Sequence, residues 1–110
     1  MKPFRHSLSS VKQFGGKVED YLPIHTWFDE SKSYTAEFMH RSMRHHSQGI
    51  FQAEKEFGYY ITNSDGKEVP VRTIGEQHVK EDMGIIPSVV DWMRAIAPAK
   101  WMAGVKYRKE

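Results

Sequence analysis

The sequence predicts an α+β domain that is mostly helical and carries one central β-hairpin. Three observations predict it. Asn63-Ser64-Asp65-Gly66 is a strong hairpin turn between two strand-like runs, residues 59–62 and 68–72. Apolar residues recur at helical spacing before it, and helix start and stop signals follow it. The 110 residues suit a single domain over 1–110, with 1–6 and 105–110 expected as frayed ends.

A first helix is expected over residues 7–14, stopped by Gly15-Gly16. In the next segment, Pro23 suits a first helical turn, with Trp27 and Phe28 turned inward. Ser33 or Thr35 caps a main helix over residues 34–57. Its expected core stripe is Met39, Met43, His46, Ile50, Ala53 and Phe57, with Arg41, Arg44, Gln48 and Lys55 opposite. Gly49 costs such a helix about 1 kcal/mol against Ala, and permits close approach of another element. Gly58 ends it. Pro70 places its strand at an edge. Thr73-Ile74-Gly75-Glu76 has capping-box spacing and starts a helix that carries His78, Glu81 and Asp82 to Gly84. Ser88 caps a last helix holding Trp92, Met93 and Ile96, which stops before Pro98. Trp101 and Met102 are expected to pack back on the core.

Composition removes several functions. Without cysteine there is no thiolate metal site, thiol catalysis or disulfide. A net charge of +2 does not by itself call for nucleic acid or a membrane. No apolar run approaches the ~20 residues of a membrane span. The first residues lack a signal-peptide core, so the expected compartment is cytoplasmic. Gly-rich phosphate loops and a serine elbow are missing.

The chemistry concentrates in two clusters. The first is His40-Arg41-Ser42-Met43-Arg44-His45-His46. His46 falls on the apolar stripe, where a histidine bonded to a carbonyl or carboxylate is the ordinary reading and a metal ligand the sharper one. His40 and His45 point ~140° apart on a straight helix and cannot share a site there. The second cluster places His78, Glu81 and Asp82 on one helix face. That spacing chelates zinc, iron or manganese, or makes a solvated surface pair. His25, among aromatics, is an outer candidate. The metal reading therefore rests on His46, His78, Glu81, Asp82 and His25, with a divalent ion such as zinc. An open coordination position would activate water for hydrolysis. The competing reading is a non-catalytic module that contacts protein or nucleic acid through Arg41, Arg44 and Lys55. Basic tail residues Lys106, Arg108 and Lys109 would add charge, while interspersed Glu54 and Glu56 weaken the footprint. The three tryptophans serve either the core or a homo-oligomer interface.

The motifs His40-Arg41-x-x-Arg44-His45-His46-x-x-Gly49-Ile50 and Glu76-Gln77-His78-Val79-x-Glu81-Asp82-x-Gly84-x-Ile86-Pro87 are joined by Val69-Pro70-Val71-Arg72 and Asp91-Trp92. Together they resemble a family of small uncharacterised bacterial and phage proteins, over residues 18–102. The resemblance implies no activity and transfers no catalytic residue.

Overall fold

Helix α1 (Pro3–Phe14) starts earlier than the sequence suggests, because Pro3 occupies a first-turn position where its missing N–H is harmless. The early start buries His6, Ser7 and Ser10. Residues expected to fray thus form the first turns of a packed helix. Gly15 and Gly16 both take positive φ and end it. Helix α2 (Val18–Asp29) begins at Val18, so Pro23 lies inside it and not in its first turn. Asp20 fixes this start by accepting from the Lys17 N–H at 2.7 Å. A computed structural model describes residues 1–35 and 37–105. The basic tail residues Lys106, Arg108 and Lys109 lie outside the described residues.

The expected continuous helix over 34–57 is broken. Short 3₁₀ turns, Glu30–Ser33 and Glu37–His40, lead into the single-turn α3 (Arg41–Arg44) and then α4 (Ser47–Phe57). Gly49 permits the break. A Cβ there would sit 1.8 Å from the Arg44 carbonyl oxygen, so only glycine lets α4 fold back this closely on the end of α3. His45 leaves the helical region (φ −84°, ψ 68°), and His46 becomes the extended N-cap of α4. The stripe is split accordingly. Ile50 and Ala53 are buried, while Met39 and Met43 are exposed.

Strands β1 (Tyr60–Thr62) and β2 (Glu68–Pro70) pair antiparallel with Ile61 opposite Val69, so the expected hairpin is present. Helix α5 (Val71–Met83) follows directly. Its start at Val71 places Thr73 and Glu76 already inside the helix, and Pro70 is the N-cap. Ser88 and Asp91 form the capping box of α6 (Val89–Arg94). Beyond it the chain runs outward: Trp101 is 67% exposed and Met102 45%, so neither packs back on the core. The molecule measures 63 × 25 × 23 Å. No helix among the described residues is long and apolar enough to cross a membrane.

The core joins Tyr21, Ile24, Trp27 and Phe28 of α2 to Ile50 and Ala53 of α4, Val69 of β2, and Val71, Ile74 and Val79 of α5. Gly75 lets α5 approach closely, since a Cβ there would lie 3.1 Å from Phe28 and 3.2 Å from Ile50. This contact sets α2 and α5 face to face, which positions the polar site described next.

Asp20 ties the hairpin to α2 through the Ser64 N–H and hydroxyl, each at 2.8 Å. The backbone N–H groups of Lys17 and Ser64 hold its carboxyl below the usual carboxylate range. A depressed folded pKa gives stability that is present above the unfolded value and lost as pH falls through the folded one. Asp20→Asn is expected to cost about 1 kcal/mol at pH 7, discounted for its solvent contact. In paired thermal melts that difference should close below about pH 4. A pH-independent difference would contradict the assignment.

Candidate metal centre

Helices α2 and α5 each carry histidine and aspartate four residues apart, His25/Asp29 and His78/Asp82, which places each pair on one helix face. The α2–α5 contact turns the two pairs toward each other. His45 enters from the chain reversal between α3 and α4. Asp29, His45, His78 and Asp82 each present one donor atom, all within 4.8 Å of one another. Asp82 Oδ2 lies 2.9 Å from His45 Nε2 and 3.3 Å from His78 Nε2. Asp29 Oδ1 lies 3.5 Å from His45 Nε2 and 3.4 Å from His78 Nε2. The two Nε2 atoms are 3.2 Å apart. Ligands about 2.0–2.1 Å from a tetrahedral zinc are separated by about 3.3–3.4 Å, so these spacings match the edges of such a site.

Unpaired atoms point the same way. Both oxygens of buried Asp29 lack a hydrogen-bond partner among the described residues, and their contacts are looser: Lys32 Nζ lies 3.6 Å from Oδ2, and the imidazoles of His45, His78 and His40 lie 3.4–3.7 Å from Oδ1. His40 donates its Nδ1–H to the Glu37 carbonyl at 2.6 Å. Its Nε2 lies 3.7 Å from Asp29 Oδ1 and has no hydrogen-bond partner among the described residues. An unpaired nitrogen and an unpaired carboxylate that face each other in a dry interior mark a position for a positive charge, a metal ion or a proton. Two nitrogens and two carboxylate oxygens are borderline-hard donors suited to zinc and neighbouring divalent ions.

The surrounding hydrogen bonds fix which nitrogen of His78 is free. The Ser10 hydroxyl has one hydrogen, and two acceptors lie near it: Gln77 Oε1 at 2.8 Å and the His6 carbonyl at 3.2 Å. Ser10 Oγ therefore accepts from His25 Nε2–H, 2.8 Å away. His25 Nδ1 is left as the acceptor for His78 Nδ1–H at 2.9 Å. That tautomer aims the lone pair of His78 Nε2 into the centre, as a ligand requires. Burial, then the neighbouring His78 and His6, pushes His25 down to about 2, so it stays neutral.

Around Asp82, burial opposes ionisation, but the hydrogen bond from His45 and the nearby imidazoles of His6 and His78 hold its carboxyl far below the usual range. Burial likewise opposes the charged form of His78, yet the adjoining carboxylates of Asp29 and Asp82 push it above an ordinary imidazole. In His45 burial prevails and lowers it. His6 stacks on His78 at 3.8 Å, with its Nε2 3.2 Å from Asp82 Oδ1 but misaligned for a hydrogen bond. Its Nδ1 meets Glu81 Oε1 at 2.7 Å. The amino group of Met1 lies 3.1 Å from Asp82 Oδ1.

Of the residues singled out from the sequence, His78 and Asp82 supply donor atoms of this group, and His25 stands directly behind His78. Glu81 lies one layer out, bonded to His6, Ser9 and Gln77. His46 points elsewhere: its Nδ1 accepts from the Gly49 N–H at 2.9 Å and its Nε2 meets the Met43 carbonyl at 3.2 Å. Asp29 and His6 were not candidates from the sequence, and His40 and His45 were set aside because a straight helix would point them apart. The repeated His-x-x-x-Asp spacing of α2 and α5 was the available signal for Asp29. His40 and His45 converge because the intervening helix is not straight, and their rings are 5.7 Å apart. The three basic residues of the alternative face diverge. Arg41 leans toward Asp82, Arg44 lies over Trp27 at 3.9 Å and bonds Glu30, and Lys55 sits near Tyr59 and Arg72.

Residues 1–102 match the family described as Domain of unknown function (DUF6915), and the chain belongs to that family. Neither the curated proteins nor the solved structures yield a match to it.

Adjacent histidines thus separate two roles. His46→Ala is expected to lose the α4 cap, about 1 kcal/mol, while leaving metal uptake intact. Removing the imidazole of His45 as His45→Ala should abolish uptake. Calorimetric zinc titration of both variants checks this, and equal loss in the two would contradict it. Gly49→Ala should lower the melting temperature and weaken uptake together, because the new methyl collides with the Arg44 carbonyl that shapes the reversal.

Proposed function

We propose that this protein is a divalent-metal-binding domain whose ion, best matched by zinc, is held by Asp29, His45, His78 and Asp82. One observation carries the reading: four buried donor atoms from three chain segments converge at the spacing of a tetrahedral site. Two buried carboxylates supply the negative charge that a dication neutralises. The ion would join α2, α5 and the α3–α4 reversal, so its binding energy is in part folding energy. A surface cleft lined by Leu22, Pro23, Trp27 and Phe57 among others shares no residue with this centre. The reading is therefore first of a closed centre that organises the fold. Hydrolysis would additionally require a coordination position that water can reach.

Protein purified without an affinity tag is expected to carry about one equivalent of a transition metal, or to take it up from solution. At a free ion concentration 100-fold above Kd, the melting temperature should rise on the order of 10 °C. Asp82→Asn and His78→Ala should each remove that rise. Less than about a tenth of an equivalent by elemental analysis, with no thermal shift on adding Zn²⁺ or Mn²⁺, would overturn the proposal.

A further inference from the structure

We infer that the metal-loaded centre takes a small phosphate-type oxyanion, held between the ion and the Arg41 guanidinium. The inference rests on the metal reading above and adds a ligand class to it. Arg41 Nη2 lies 3.9 Å from Asp82 Oδ1, too far for a hydrogen bond. Its Nε is buried and has no partner. A buried guanidinium N–H left unpaired is costly and marks a position for an acceptor.

Exposure and charge agree with this. The Arg41 side chain is 26% exposed, whereas those of Asp29, His45, His78 and Asp82 are at most 5%. Arg41 is thus a solvent-reaching cation at the edge of a closed centre. A dication neutralises Asp29 and Asp82 and releases Arg41 from its role as their counter-charge. Lys32, 3.6 Å from Asp29 Oδ2, is released in the same way. Glu81, the nearby carboxylate, is already engaged by His6, Ser9 and Gln77. The loaded centre is left with positive charge on its Arg41 edge, where that side chain reaches solvent.

A tetrahedral oxyanion suits that charge geometrically. Two of its oxygens meet Nε and Nη of the planar guanidinium as a fork, which a chloride ion cannot do. Another oxygen reaches the ion, which can expand to a fifth ligand. His40 Nε2, also unpartnered and next to Arg41 in the chain, faces the same centre. A phosphate group can arrive as inorganic phosphate or on a small monoester, and the chemistry recognised is the same.

The test uses zinc-loaded protein freed of excess metal, titrated by calorimetry with inorganic phosphate and with phenyl phosphate, against chloride at equal ionic strength. Saturable phosphate binding is expected in the loaded protein and not in the metal-free one. Tighter binding of phenyl phosphate would assign the site to monoesters, and tighter binding of inorganic phosphate to the free ion. Arg41→Ala should keep zinc and lose phosphate affinity by roughly tenfold or more. Arg41→Lys should recover only part, because a point charge lacks the fork. Zinc uptake without phosphate binding overturns this inference alone, as does unchanged phosphate affinity in zinc-loaded Arg41→Ala. Failure to take up zinc overturns both this inference and the metal reading.

Discussion

Asp29 and Asp82 bring two carboxylates to one buried point, and the neighbouring elements are arranged around that charge. Burying like charges together is costly unless positive charge joins them. Here the imidazoles of His45 and His78 lie within 3.5 Å of both carboxylates. Their help is incomplete. Asp29 has no hydrogen-bond donor, and His40 directs an unpartnered nitrogen at it. The proposed divalent ion would resolve these conflicts together: it would bind the carboxylate oxygens and accept the lone pairs of the two Nε2 atoms.

The same constraint explains why α1 buries a polar face. Helix α1 turns His6, Ser7 and Ser10 inward, and two of these groups serve the centre at one remove. Ser10 sets the tautomer of His25, and His25 sets that of His78. His6 stacks on His78 and links Glu81 to the edge of Asp82. Gln77 ties the layer together by donating to the His6 carbonyl and to Glu81. A network of this kind holds ligand rings in place before an ion arrives, and losing one member leaves another group unsatisfied.

Local signals in the sequence were strong where a turn or cap acts within a few residues. The hairpin at Asn63–Gly66 and the Ser88–Asp91 cap of α6 are of this sort. The His78/Asp82 pair was legible because helical spacing alone sets it. His45 was not, because its place depends on a reversal that Gly49 permits by leaving room for the Arg44 carbonyl. Helical phase over a straight helix assigned the inward position to His46, and the reversal gives it a capping role instead. Trp101 and Met102 are core residue types, yet both stand exposed beyond α6. Which side chains meet across α2, α5 and the reversal is a tertiary matter that periodicity along one element does not encode.

The account's central claim is that four named atoms hold one ion. Anomalous diffraction from a zinc-loaded crystal, recorded across the zinc absorption edge, tests it most directly. The account predicts one peak about 2.0–2.2 Å from Asp29 Oδ1, His45 Nε2, His78 Nε2 and Asp82 Oδ2. A peak on His46 or on exposed histidine-free surface, with these four atoms uncoordinated, would contradict it.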